Sequence, residues 1–276
     1  MVDTSVGNAR TSRLARDWAT LCRLLRERGL LASLEHVWTT ALIRAHAILA
    51  DRKRLAWEAV PSAGYAPVRR NEVVGESAEH GFDYAPTPCL VLDWVLDALP
   101  IAPGETTLVD MGSGRGRVVL QAATRPFKEV VGVEHSAELH AAALANRAAF
   151  PSALRKARAI TLMNRDAAET VLPEGPAVLF FFNPFGEEIM GRVLSRLVRS
   201  DAAGTLCVFG AVRGIDRLAG AYGLAPVRLP LATRIRLALL SPMRIALYRV
   251  PERPGLRSGS NIPAAEERRP ASASSP

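Results

Sequence analysis

The sequence predicts an α/β protein built on a mostly parallel, Rossmann-like sheet. Three observations carry this: strands and helices alternate from Thr87 to Tyr222, a glycine-rich turn in VDMGSGRGRVVL (109–120) joins a strand to a helix, and the segments that end the first three strands each hold an acid. At 276 residues with 49% hydrophobic side chains, the chain can bury a full α/β core and still carry an appendage.

The N-terminal part reads as helical. Leu14, Trp18, Leu21 and Leu25, then Leu34, Trp38 and Leu42, recur three or four apart within each group over residues 12 to 60, which predicts amphipathic helix in two segments broken near Gly29. A helical cap on the main domain or on a second subunit, the latter giving a homodimer, is favoured over a membrane-surface or nucleic-acid role. Pro61, Gly64, Pro67, Gly75, Gly81 and Pro86 mark a long connecting loop.

Thr87 and Pro88 then fit an N-cap and first helical residue of a helix running to Leu99. Strands follow at 106–111, 129–134, 158–163, 177–183 and 204–211. They alternate with helices at 115–125, 136–148 (capped by Ser136), 187–199 and 214–222. RIRLALL (234–240), the turn SPM and RIALYRV (244–250) read as a terminal hairpin, which makes at least one strand antiparallel. Past Pro251 the composition, ending PASASSP, is that of a disordered tail. The expected organisation is an N-terminal helical extension with linker (1–80), a catalytic domain (81–250) and a tail (251–276).

Composition excludes several function classes. The net charge of +8 rests on arginine, lysine occurring only at 53, 128 and 156, so the basic balance reflects residue usage more than a nucleic-acid surface. Cysteines 22, 89 and 207 are odd in number and widely spaced, and the five histidines have no ligand spacing, so no disulfide framework and no metal is expected. No signal-peptide pattern and no membrane-spanning run occurs, which places the expected protein in the cytoplasm.

Gly112, Gly114 and Gly116 form GxGxG, with Asp110 two residues before the first glycine. A glycine turn in this context receives a nucleotide-like ligand, although its spacing departs from the dinucleotide GxGxxG. Glu134, ending the next strand in VVGVEHS, can accept hydrogen bonds from both ribose hydroxyls. Asp166, in NRDAAE after the third strand, can accept from an adenine amino group.

In this order, VDMGSGRGR, GVEHS, NRDAAE and FFNPFG resemble the class I S-adenosylmethionine-dependent methyltransferases, from about Tyr84 to Val250. YAPTP, GSGRGRVVL, GVEHSAELH and NPFGEE together are similar to a group of bacterial methyltransferases with no single known substrate. The resemblance implies a seven-stranded sheet whose last strand is antiparallel, and S-adenosylmethionine as cofactor. It implies that the Gly112–Gly116 turn, with Ser113, packs on the methionine and ribose portions, with Asp110 near the amino group. Glu134, His135 and Asp166 line the rest of the nucleoside, and Tyr84 and Thr87 cover the methionine end. Asn183, Pro184 and Phe185 match the D/N-P-P-Y/F segment of amino-group methyltransferases with one proline missing, which implies a nitrogen acceptor in a small molecule or a protein side chain. Other readings are an O-methyltransferase, for which His80 or His135 would serve as base, a nicotinamide oxidoreductase, and a cofactor-binding module without catalysis.

Overall fold

A computed structural model describes residues 5–46, 58–59, 86–182, 186–200, 202, 204–212 and 214–251. The expected linker before Pro86, the tail beyond Pro251, His80, Tyr84 and Asn183–Phe185 lie outside the described residues.

The sheet is built from β1 (Thr107–Met111), β2 (Glu129–Glu134), β3 (Ala159–Asn164), β4 (Ala177–Phe182), β5 (Leu206–Gly210), β6 (Ala225–Pro226) and β7 (Ile245–Arg249). Their spatial order is β3-β2-β1-β4-β5-β7-β6. The first five are parallel, and β7 runs antiparallel to both β5 and β6. This is the seven-stranded sheet of the class I methyltransferase fold. The order reverses between β1 and β4, and ligands of open α/β sheets bind at such a switch, outside the carboxyl ends of the strands.

Alternation along each strand sends side chains to two buried faces. Leu108, Val130, Val178, Phe180 and Val208 pack under α2 (Cys89–Leu96) and α3 (Arg117–Ala122). Val109, Met111, Leu179, Phe181 and Phe209 pack against α5 (Glu187–Arg199) and α6 (Ile215–Ala221). Phe180 and Phe181, neighbours in β4, are both fully buried, one in each layer. Phe181 stacks on Phe209 at 4.9 Å, because the β4–β5 register makes the two residues cross-strand partners. The remaining helix of this region, α4 (Ala137–Ala149), starts at Ser136, whose side chain accepts from the Leu139 amide.

Two expectations are corrected. The segment 234–240 is not a strand: Leu231–Leu240 forms helix α7, and the partner of β7 is the two-residue β6. RIRLALL alternates over its first residues, but Leu231, Ile235 and Leu239 recur every fourth residue, the helical spacing. Thr87 is not the N-cap of α2; Pro88 occupies that position with extended backbone and no side-chain cap.

Helix α1 (Ser5–His46) carries a non-helical Gly29 (φ 82°) that divides it into two segments, and Ser33 donates back to the Gly29 carbonyl. Its C-terminal end docks on the main domain. His46 is buried against Trp94, and its Nε2–H donates to the Leu240 carbonyl at 2.8 Å.

Gly132, in the middle of β2, is the tightest point between sheet and glycine turn. A Cβ there would stand 2.8 Å from Leu162 Cδ2 and Val119 Cγ2 and 2.9 Å from Ser113 Oγ. Gly132→Ala is therefore expected to destabilise by about 1–3 kcal/mol, the usual cost of overpacking, read as a lower urea midpoint at unchanged m-value.

Candidate functional site

The turn after β1 is held open by backbone geometry that only glycine adopts without strain. Gly112, Gly114 and Gly116 all have positive φ (93°, 54° and 82°). Gly116 then opens α3, and a Cβ on it would meet that of Ala143 in α4 at 3.2 Å. Each glycine of the motif thus answers a backbone or packing demand.

The amides of this turn are committed inside the protein. Those of Gly112 and Ser113 both donate to the Val133 carbonyl at 2.9 Å, and that of Gly116 donates to the Ser113 carbonyl at 2.8 Å. The Gly114 amide donates to Glu134 Oε2 at 2.7 Å. A pyrophosphate site needs such amides pointed at the anion. Here these four are spoken for, which fits a ligand without phosphate.

Glu134 is 9% exposed, and its carboxylate bridges two elements. Oε2 takes the Gly114 amide and Oε1 the Ser136 amide at 2.8 Å, tying the turn after β1 to the start of α4. Burial raises its pKa, an effect opposed by the amides of Ser136 and Gly114 and by His135. Each carboxylate oxygen can still accept a second hydrogen bond.

Asp110 shares the sheet face of Glu134 through the register Asp110↔Gly132 on β1 and β2. Its side chain is 2% exposed and makes no hydrogen bond among the described residues. Burial first, and the charge of Glu134 second, hold its pKa well above the ordinary carboxylate range. Two desolvated acids side by side form a site that a cation or a set of hydrogen-bond donors relieves. Ser113 Oγ, also buried and without a hydrogen-bond partner among the described residues, adds a polar atom to the same turn.

Asp166 comes to the neighbouring strand end. The Arg165 amide donates to the Glu134 carbonyl at 3.0 Å, and Asn164 Nδ2 donates to the carbonyls of Glu134 and His135 at 2.8 and 2.9 Å. Asp166 is half-buried and caps a short 3-10 turn, its Oδ1 accepting from the Ala168 amide at 2.7 Å. Thr87 also reaches the turn, through its backbone: it is buried, and its carbonyl accepts from Arg117 Nη1 at 3.0 Å.

The structure thus gathers Thr87, Asp110, Gly112, Ser113, Gly114, Gly116, Glu134, His135 and Asp166 at one edge of the sheet. Three supporting residues, two of them inside the motifs GVEHS and NRDAAE, have a role that the motifs alone do not assign. Gly132 leaves the space that Ser113 needs. Asn164 fastens β3 to β2. Asn146, fully buried in α4, donates to the Arg115 carbonyl at 3.0 Å; its signal in the sequence is a polar residue on the buried stripe Leu139, Ala143, Asn146.

No protein-family model and no curated protein matches the chain. Solved structures do. An RNA methyltransferase from Salinibacter ruber in complex with S-adenosyl-L-homocysteine matches at 21% identity over 64% of this chain and 100% of that one, TM-score 0.43. Magnesium protoporphyrin IX methyltransferase from Synechocystis, with bound S-adenosylmethionine, matches at 17% over 58% and 76%, TM-score 0.40. The StiE O-methyltransferase segment matches at 16% over 49% of this chain and 52% of that one, TM-score 0.38, so the chain spans about half of that structure. Likenesses this distant say nothing about substrate; the fold class follows from the strand order itself.

The paired acids make stability depend on pH. Because the folded pKa values of Asp110 and Glu134 lie above their unfolded ones, the folded protein binds more protons than the unfolded chain between the two. Ligand-free stability therefore falls as pH rises from the ordinary carboxylate range through the raised pKa values. Asp110→Asn is expected to flatten this slope and to raise the ligand-free melting midpoint at pH 7 by roughly 2–4 °C, the shift that follows from a gain of about 1 kcal/mol, read by scanning calorimetry across pH.

Proposed function

We propose that the chain is an S-adenosylmethionine-dependent methyltransferase acting on a nitrogen acceptor in a small molecule or a protein side chain. The observation that carries this reading is the glycine turn whose amides of Gly112, Ser113, Gly114 and Gly116 all donate within the protein, set beside two buried acids. S-adenosylmethionine has no phosphate, and it carries a sulfonium and an ammonium charge. When bound, it supplies a methyl group already activated for in-line displacement.

The fit extends residue by residue. Asp110, desolvated and without a side-chain hydrogen bond among the described residues, is suited to the α-amino group. Glu134 retains acceptor capacity for the ribose hydroxyls after serving two backbone amides. Asp166 and His135 stand at the adjoining strand ends, toward the adenine. Ser113 supplies a hydroxyl unpartnered among the described residues, and Thr87, whose carbonyl accepts from Arg117, would with Tyr84 cover the methionine end.

The acceptor role falls to Asn183, Pro184 and Phe185, between the end of β4 and Gly186, which caps α5. In this reading the Asn183 side-chain oxygen and the Pro184 carbonyl accept hydrogen bonds from the target nitrogen and leave its lone pair aimed at the methyl carbon. The Phe185 ring packs on the acceptor and excludes water. Alignment and desolvation supply most of the acceleration in a displacement of this kind, so no metal and no strong base is needed.

The test is transfer of an isotopically labelled methyl group to a metabolite and peptide panel, read by mass spectrometry. A labelled amine is expected, and Asn183→Ala should lower the rate by about 10²–10³-fold, the usual effect of removing a positioning hydrogen bond, with S-adenosylmethionine affinity unchanged. An unchanged rate in Asn183→Ala on every labelled acceptor would remove the amine-recognition role, and label found only on oxygen would reassign the chemistry.

A further inference from the structure

Helix α7 presents an apolar row that the fold does not use. Leu231, Ile235 and Leu239 follow one another at helical spacing and are 66%, 51% and 59% exposed. Arg234 and Arg236 flank this row, one on each side, and LATRIRLALL contains no acid. The helix is held from its other side. Leu237 packs on the core layer that includes Phe182 and Ile245, the Arg236 guanidinium lies 5.5 Å from the Trp94 ring centroid, and Leu240 takes the His46 hydrogen bond.

Beyond Gly29, α1 repeats the arrangement. Leu30, Leu31, Leu34, Val37 and Trp38 fall on one face of the helix and all are exposed, Leu31 by 82%. Trp38 reaches a groove of about 690 Å³ that it lines together with Arg234, Leu237 and Ala238 of α7, so the two helices flank one groove. Beyond Gly29 α1 carries Arg44 and Glu35, and Glu35 and Asp216 line the groove beside Arg228, Arg234 and Arg244; the other arginines of α1, at 10, 13, 16, 23, 26 and 28, precede Gly29. Contiguous exposed apolar surface of this kind marks an interaction site.

Charge decides what covers it. A second copy meeting this one through α7 would bring its arginines against Arg234 and Arg236, which opposes association. A nucleic acid would match the arginines and could stack a base on Trp38, but it offers nothing to the aliphatic row Leu231, Ile235 and Leu239. An anionic bilayer matches both, with headgroups for the arginines and the acyl boundary for the leucines and the indole. No helix among the described residues is long and apolar enough to cross a membrane, so the helices would lie on the surface.

The position of α7 gives this face a purpose. The chain leaves the sheet after the Val227 amide donates to the Leu247 carbonyl, and re-enters at Ile245, opposite Gly210 at the carboxyl end of β5. Gly210 in turn pairs with Phe182, the last residue before Asn183. The helix α7 therefore adjoins the edge of the sheet where the acceptor segment begins.

We propose that α7 and the second half of α1 dock the protein on an anionic lipid surface. Resting on the methyltransferase reading above, this makes the methyl acceptor an amine presented at that surface. The experiment is co-sedimentation of the full chain, without cofactor, with vesicles of phosphatidylcholine alone and of equimolar phosphatidylcholine and phosphatidylglycerol. About tenfold stronger partitioning to the anionic vesicles is expected, with a blue shift of tryptophan emission. The triple variant Leu231→Ser, Ile235→Ser, Leu239→Ser should lose this binding and keep both its melting midpoint and its S-adenosylmethionine affinity. Equal sedimentation with and without anionic vesicles would overturn the proposal. So would a concentration-dependent dimer abolished by the triple variant, or retention on a nucleic-acid duplex that the variant leaves intact. Vesicle binding is read without cofactor and cofactor binding without vesicles, so either reading can fail alone.

Discussion

The carboxylate of Glu134 is the joint on which the carboxyl edge of the sheet depends. It stands at the end of β2, takes the Gly114 amide on one oxygen and the Ser136 amide on the other, and so fixes the glycine turn to the start of α4. Hydrogen bonds to an ionised group contribute about 1.5–3 kcal/mol each, and a buried carboxylate needs them to offset its lost hydration. Around this joint the remaining contacts fall into place. Gly132 makes room for Ser113, Val133 binds two turn amides, and Asn164 carries the link on to β3.

The same joint sets the electrostatics. Holding Glu134 in place leaves Asp110 buried beside a like charge, with no side-chain hydrogen bond among the described residues, a state that costs stability until a ligand arrives. Functional sites commonly carry such local violations, compensated by the rest of the fold. The compensation here is two dense core layers, with Phe180 in one and Phe181 in the other, both fully buried. A ligand that brings positive charge and hydroxyl donors, and no phosphate, suits what this edge lacks.

Much of this was legible in the chain itself. Apolar runs bounded by turns located β1 to β5 within about two residues, because buried parallel strands have to be continuous and hydrophobic. The Ser136 cap and the positive-φ glycines also follow from local rules. What stayed hidden depends on neighbours far along the chain. That Gly114 is a partner of Glu134 is decided by the β1–β2 register. The helix at 231–240 was masked by the alternation of RIRLALL, a short apolar stretch in which strand and helix spacings coincide for several residues. The two-residue β6 leaves almost no pattern to find. Asn183, Pro184 and Phe185 lie outside the described residues, so their part in the site still rests on the sequence motif.

Strand order, committed amides and desolvated acids converge on one claim: the turn from Gly112 to Gly116 receives a cationic nucleoside and not a dinucleotide. Isothermal titration of the ligand-free protein with S-adenosylmethionine and, separately, with NAD tests this most directly. The account predicts saturable binding of S-adenosylmethionine that weakens in Glu134→Gln, and no measurable binding of NAD. Binding of NAD with no response to S-adenosylmethionine would contradict it.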